Sequence, residues 1–283
     1  MIEALMNFDF MRYSLLSGIL IGFIAPFIGA FIVVRRLSLI ADALSHVTLG
    51  GISFGMFLTT LSPIFIFINP MWGGILFAVV GALLIEKLRT SYQNYQEIAI
   101  PIIMSAGIGL SAIFISLADG FNQELVGLLF GSISAVSLSD MITVLTIAVL
   151  VTLFIMLFYK ELFILSFDEE YSKVIGIPRW IQFLFIIIVA MVISASMRVV
   201  GILLVSALMT LPVAIAMRMT KGFKQLILYS IIIGEVSVIG GLVIAFYLNL
   251  SPGGVIVVLL VLILVATMFT QTLRTRVKKE IVK

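Results

Sequence analysis

The chain has 283 residues, 62% of them hydrophobic and only 11% charged, with a mean hydropathy of +1.30, which excludes a soluble globular domain and makes it an integral membrane protein. The formal charge of +3 does not imply nucleic acid, because the basic residues stand at the ends of apolar runs and form no stripe with interleaved aromatics. With no cysteine and a single histidine, disulfides, thiolate metal sites and thiol catalysis are excluded, and any metal must use oxygen or imidazole ligands.

The apolar runs approach the length of about 20 residues that a helix needs to cross the hydrocarbon core, and none alternates as a barrel strand does. The expected fold is therefore all-α, a polytopic helix bundle forming one transmembrane domain over residues 1–283. Spans are expected near 14–34, 39–61, 71–88, 98–118, 140–159, 180–196, 199–217, 225–248 and 254–271. Only Met197 and Arg198 divide the sixth from the seventh, and together these two runs are too long for one straight crossing. Eight and nine spans both stay open. Before the first span, Glu3, Asn7 and Asp9 stand where a signal peptide would carry basic residues, which argues against a cleaved leader.

With the C-terminus cytoplasmic, nine spans put fifteen of the seventeen basic residues inside, leaving only Arg12 and Arg198 outside. The positive-inside rule favours that orientation. The acids Asp9, Asp119, Glu124 and Asp140 then fall outside. Trp72, Tyr159 and Trp180 lie at span ends and suit the headgroup region. Gly50, Gly51, Ser53, Gly55, Gly107, Gly109, Ser111, Gly234, Ser237, Gly240 and Gly241 are expected to let helix backbones approach closely.

The stretch from about 160 to 179 is the one cytoplasmic loop with its own organisation. Asp168 suits a helix N-cap, Glu169 and Glu170 suit the positive start of a helix, and Gly176 followed by Pro178 is a stop signal. A short surface helix of about two turns is expected, either a solvated connector or a docking element for a soluble partner.

Chemistry concentrates at Asp42 and His46, four residues apart and so one above the other on a helix face. Counting from Arg36 at 1.5 Å per residue puts Asp42 roughly 9 Å and His46 roughly 15 Å into the bilayer, with Glu235 of the eighth span at roughly 16 Å. Intramembrane ionisable groups are costly and face an interior path or a partner. A satisfied internal hydrogen bond between Asp42 and His46 is the plain alternative to a metal path, and for Glu235 the alternative is a bond to a neighbouring helix. Carboxylate plus imidazole suits Zn(II), Mn(II) or Fe(II), with too few ligands for a closed structural site. The chain has no phosphate-binding loop, no His-Glu-x-x-His helix and no nucleophile elbow, so it is not read as an enzyme.

Five blocks together resemble the ABC-3 family, the permease subunits of bacterial ATP-binding cassette importers for zinc and manganese. They are Val34-Arg-Arg-Leu-Ser-Leu-Ile-Ala-Asp-Ala-Leu-Ser-His-Val-Thr-Leu-Gly-Gly51, Leu129-Phe-Gly-Ser-Ile133, Asp168 to Pro178, Val200-Gly-Ile-Leu-Leu-Val-Ser-Ala-Leu-Met-Thr-Leu-Pro-Val-Ala216 and Leu250-Ser-Pro-Gly-Gly254. The resemblance implies two permeases as a homodimer in the bacterial cell membrane, two cytoplasmic ATPase subunits that carry the ATP, and an external metal-binding protein. It implies that Asp42 and His46 line the metal route, and that Asp168, Glu169, Glu170, Tyr171, Ser172 and Gly176 belong to a coupling helix against the ATPase. Ser172 stands where the family commonly has alanine, and Glu235 matches no family motif. The closeness of the Asp-Ala-Leu-Ser-His-Val-Thr-Leu block to zinc permeases favours zinc as the transported ion, with manganese next. Protonated His46 would repel a cation, so transport is expected to fall at acid pH. The competing class is a proton-coupled secondary transporter using Asp42, His46 and Glu235, which needs no ATPase.

Overall fold

The computed structural model describes residues 7–61, 69–92, 95–118 and 123–281; Asp119 lies outside them. The helices are Asp9–Val34 (α1), Leu39–Leu61 (α2), Pro70–Ser91 (α3), Ala99–Leu117 (α4), Gln123–Phe130 (α5), Leu138–Leu157 (α6), Tyr159–Phe167 (α7), Glu169–Val174 (α8), Arg179–Val200 (α9), Ile202–Met219 (α10), Phe223–Leu248 (α11) and Pro252–Ile281 (α12). No strand occurs among the described residues. The chain is a multi-pass helical membrane protein.

By length and composition, α1, α2, α3, α4 with the turn before it, α6, α9, α11 and α12 can each cross a membrane, which makes eight spans. Helix α10 is the shorter ninth. Its 18 residues rise about 27 Å, just under the roughly 30 Å of a hydrocarbon core. The α9–α10 division falls at Gly201, not at Met197 and Arg198, because φ is 92° there, a conformation that glycine adopts without a β-carbon penalty. Helices α5 and α7 are additions to the expected spans.

Two groups of helices make up the bundle. In the first, α2 packs chiefly between α3 and α4; in the second, α1 packs against α6, α10 and α11. Helix α9 touches both groups and, with α1, is the most deeply buried of the spans. Between apolar helices in lipid there is no hydrophobic drive, so close contact must supply the association. Small residues provide it: Gly51 meets the Gly73 carbonyl, Gly107 meets the backbone at Val47, and Gly29 meets the Met209 carbonyl. Gly109, by contrast, faces open space.

The ends of the bundle differ in chemistry. At one end Ser132 N–H donates to the Arg198 carbonyl at 3.1 Å, Arg198 pairs with Asp140 at 3.0 Å, and the backbones of Gly131, Gly201 and Gly253 converge. Three of the five sequence blocks therefore meet in one knot. At the other end Phe223 packs its ring against Phe31, Tyr159, Phe163 and Phe167, joining α1, α7 and α11. Trp72 and Trp180 are exposed at helix starts as membrane anchors would be, whereas Tyr159 is drawn into this aromatic cluster.

Candidate functional site

Helix α2 begins directly after a tight corner at 35–38. Arg36 sits in the left-handed region (φ 58°), and Leu37 N–H closes the corner on the Ile32 carbonyl at 3.0 Å. From Leu39 on, two sides of the helix are occupied: Thr48, Gly51 and Ile52 lie against α3, and Val47 and Gly50 against α4. Ala41, Ala43 and Leu44 are fully buried. Asp42 and His46, at the same helical register, are left half-buried. Neither has a hydrogen-bond or ion-pair partner among the described residues, so the internally satisfied alternative is not what the structure presents.

The neighbouring hydroxyls do not compete for that face. Ser45 Oγ donates to the Ala41 carbonyl at 2.7 Å and Thr48 Oγ1 to the Leu44 carbonyl at 2.6 Å, each folding back on its own helix. One carboxylate and one imidazole thus remain free to accept a ligand.

Glu235 is held elsewhere. It lies in α11, which packs on α1, and a β-carbon at Gly22 would stand 3.2 Å from its Oε2. That oxygen is buried and has no hydrogen-bond partner. No group of three or more acids and histidines able to hold a metal occurs among the described residues. Asp42 and His46 share a face; Glu235 does not join them within one chain.

The short helix forms as its sequence implies. Asp168 accepts a hydrogen bond from Tyr171 N–H at 2.8 Å as N-cap, and Gly176 terminates the turn at φ 79°. Ser172 is buried, its hydroxyl donating to the Glu169 carbonyl at 2.6 Å, which explains why only a small side chain fits there. Glu170, Tyr171, Val174, Ile175 and Gly176 point outward, Val174 being 82% exposed. Nothing among the described residues covers this patch of Tyr171, Val174 and Ile175.

Glu169 turns inward into a cluster that the sequence reading missed. Its Oε2 accepts from Arg89 Nη2 at 3.2 Å and lies 3.9 Å from Arg35 Nη2; its Oε1 lies 3.9 Å from Lys173 Nζ. Arg89 also donates to Glu86 Oε2 at 3.2 Å and to Gln96 Oε1 at 3.1 Å, and Gln182 Nε2 donates to Glu86 Oε1 at 2.6 Å. Helices α3, α8 and α9 and the α1–α2 corner are thereby joined by charge at one end of the bundle. Burial alone would raise the Glu169 carboxyl, but Arg89, Arg35 and Lys173 outweigh it and hold the group below the usual glutamate range. Burial lowers Arg35 from its usual arginine value, and the nearby Arg89 cation adds to the effect. The available signal was Glu86, an acid at the charged end of an apolar run, together with the amide of Gln182 at the start of another.

Comparison with known proteins connects these regions. Residues 7–271 match the family model described as the ABC 3 transport family. The chain belongs to the ABC 3 transport family. Among its relatives, a probable metal transport system membrane protein of Treponema pallidum (strain Nichols) is 32% identical over 93% of this chain and 97% of that one. The manganese transport system membrane protein MntC of Listeria innocua is 30% identical over 100% of this chain and 99% of its own. Among solved structures, PsaBC from Streptococcus pneumoniae in complex with Fab superposes with a TM-score of 0.80 at 29% identity, covering 94% of this chain and 93% of that chain. In this ABC 3 chain the match spans both helix groups, so Asp42, His46, Glu169 and Glu235 all lie within the family's common length.

Proposed function

We propose that the chain is the membrane permease of an ATP-driven importer of divalent metal ions, with manganese as its first cargo and zinc as its second. The observation that carries this reading is the Asp42 and His46 pair: one helical turn apart, half-buried and without a protein partner. A carboxylate and an imidazole suit first-row divalent ions. Two ligands per chain are too few for a closed structural site, as transit requires. The sequence alone favoured zinc, but this ligand pair serves either ion; the name of the Listeria relative supports manganese, and none of the three proteins compared above is named for zinc.

Two copies related by a two-fold axis would present two carboxylates and two imidazoles to one ion if α2 faces that axis. Family membership supports ATPase partners and an external metal-binding protein. The exposed Tyr171, Val174 and Ile175 of α8 are the apolar patch we assign to the ATPase, which carries the ATP, and Asp168, Glu170 and Gly176 shape that patch. With it the basic end of the bundle, and the C-terminus, face the cytoplasm.

Uptake of radioactive manganese into liposomes holding the permease with its ATPase, with the external metal-binding protein supplied outside, tests this. Asp42→Asn and His46→Ala are expected to abolish uptake while the complex assembles and hydrolyses ATP; undiminished uptake in both variants sinks the assignment. Metal competition in the same assay orders manganese against zinc. The orphaned Glu235 Oε2 favours a second reading, in which a proton moves through α11. Uptake that follows an imposed pH gradient without ATP, and is lost in Glu235→Gln, would replace the first reading with the second.

A further inference from the structure

We propose that the Glu169 carboxylate is a two-position latch, bonded to Arg89 in the present arrangement and transferring to Arg35 when α8 is displaced, and that Arg35 positions the start of α2 through it. This rests on the importer reading, since the displacement is the one an ATPase would apply. One oxygen, Oε2, already faces both guanidinium groups, at 3.2 Å from Arg89 Nη2 and 3.9 Å from Arg35 Nη2.

The two arginines are unequally served. Arg89 would keep Glu86 and Gln96 if Glu169 left it. Arg35 has a side chain only 3% exposed, Nη1 and Nη2 without hydrogen-bond partners, and the Phe185 ring 5.8 Å away, with Arg89 and Glu86 near enough to act on it by charge but not to bond it. A buried guanidinium left without acceptors is costly, and the transfer would relieve that cost. Closing 3.9 Å to an ordinary charged hydrogen bond requires roughly 1 Å of motion. A cleft of about 640 Å³ between α8 and the bundle, with Glu169, Arg89 and Gln182 on its walls, leaves α8 loosely packed on the Arg89 side. Each position satisfies a different arginine, which gives the bistability a switch needs.

The consequence falls on the metal helix. Arg35 opens the corner that starts α2, four residues before Leu39 and seven before Asp42. Arg89 belongs to α3, which grips the middle of α2 at Gly51 and Gly73. Glu169 on Arg89 ties α8 to the flank of α2; on Arg35 it ties α8 to the start of α2. The path helix is thus pulled from two different points in the two states.

The test uses the permease assembled with its ATPase in liposomes supplied with the external metal-binding protein, with Ser38→Cys as reporter at the corner, a clean label because the chain has no cysteine of its own. Its reaction with a membrane-permeant maleimide, which reaches the lumenal corner of complexes oriented for uptake, is followed on the permease band, with and without trapped nucleotide, beside manganese uptake per ATP hydrolysed. Arg35→Gln holds the latch on Arg89 and Arg89→Gln holds it on Arg35. The labelling rate is expected to shift in opposite directions in the two variants, and uptake per ATP to fall about ten-fold in each, a size within the ordinary range of coupling between sites. Arg35→Lys is expected to recover part of the coupling. A merely structural cluster would lower the amount of assembled complex in both variants and leave labelling and uptake per ATP unchanged. That result, or shifts in the same direction, overturns the latch. Where a glutamine variant does not assemble, Arg35→Lys and Arg89→Lys, whose single ammonium holds the carboxylate less firmly than the guanidinium it replaces, are expected to give the same opposite shifts at smaller size. If the unaltered complex takes up no metal, the importer reading fails; if it does and the variants label alike, only the latch fails.

Discussion

Two polar regions border α2, and they are built on opposite principles. Asp42 and His46 are half-buried and have no hydrogen-bond or ion-pair partner among the described residues, whereas Glu86, Arg89, Glu169, Gln96 and Gln182 bond one another through Arg89 and Glu86. Charges that already hold one another cannot hold a passing ion, and charges left open do little to hold helices together. Partnering, rather than the mere presence of charge in a membrane helix, separates the groups available for transport from those that bind the bundle.

Stability measurements on the purified permease can break or sharpen this contrast. The largest effect is expected for Arg89→Ala, which removes the one guanidinium shared by Glu86, Glu169 and Gln96; losing one partner of a buried pair costs about 3–5 kcal/mol, read as a lowered thermal midpoint. Glu86→Gln keeps an acceptor for Gln182 but puts an amide donor in place of the oxygen that accepts from Arg89, so a loss of about 1–3 kcal/mol is expected in the same assay. A midpoint for Arg89→Ala equal to that of the unaltered chain would remove the cluster from the structural side of the contrast.

A smaller, pH-dependent effect follows from Glu169. Its folded value is depressed, so its charged form stabilises the docked α8 fully above the unfolded glutamate range near about 4.3, and that contribution is lost as pH falls through the depressed value. The midpoints of the unaltered chain and Glu169→Gln should differ at neutral pH and converge at acid pH; a constant difference would mean that the charge is not what docks the helix. Asp42→Asn and His46→Ala should change stability least, within about 0.5 kcal/mol, because no hydrogen bond or ion pair is lost. A marked loss of stability in either would show the open pair to be structural after all.

Local patterns carried much of this molecule. The helical class, the spans from apolar run length, the Asp168-capped helix ended at Gly176 and the shared register of Asp42 and His46 each depend on residues near one another in the chain. Hydropathy and capping act over one or a few turns, so they are readable without the fold. The α9–α10 break was less legible because charge drew attention to Arg198, while the backbone turned at Gly201.

Only the tertiary structure decided partners. Arg35 and Arg89 read as orientation signals in the sequence, yet they converge on Glu169 from two separate segments. Glu235 matched His46 in depth, yet depth fixes one coordinate only, and helix packing turned it toward Gly22 of α1. The sequence by itself determined which groups were charged and roughly how deep they lay; which of them met, and which stayed open to an ion, depended on the lateral order and rotation of the helices, set by contacts such as Gly51 with Gly73 and Gly29 with Met209 between distant segments.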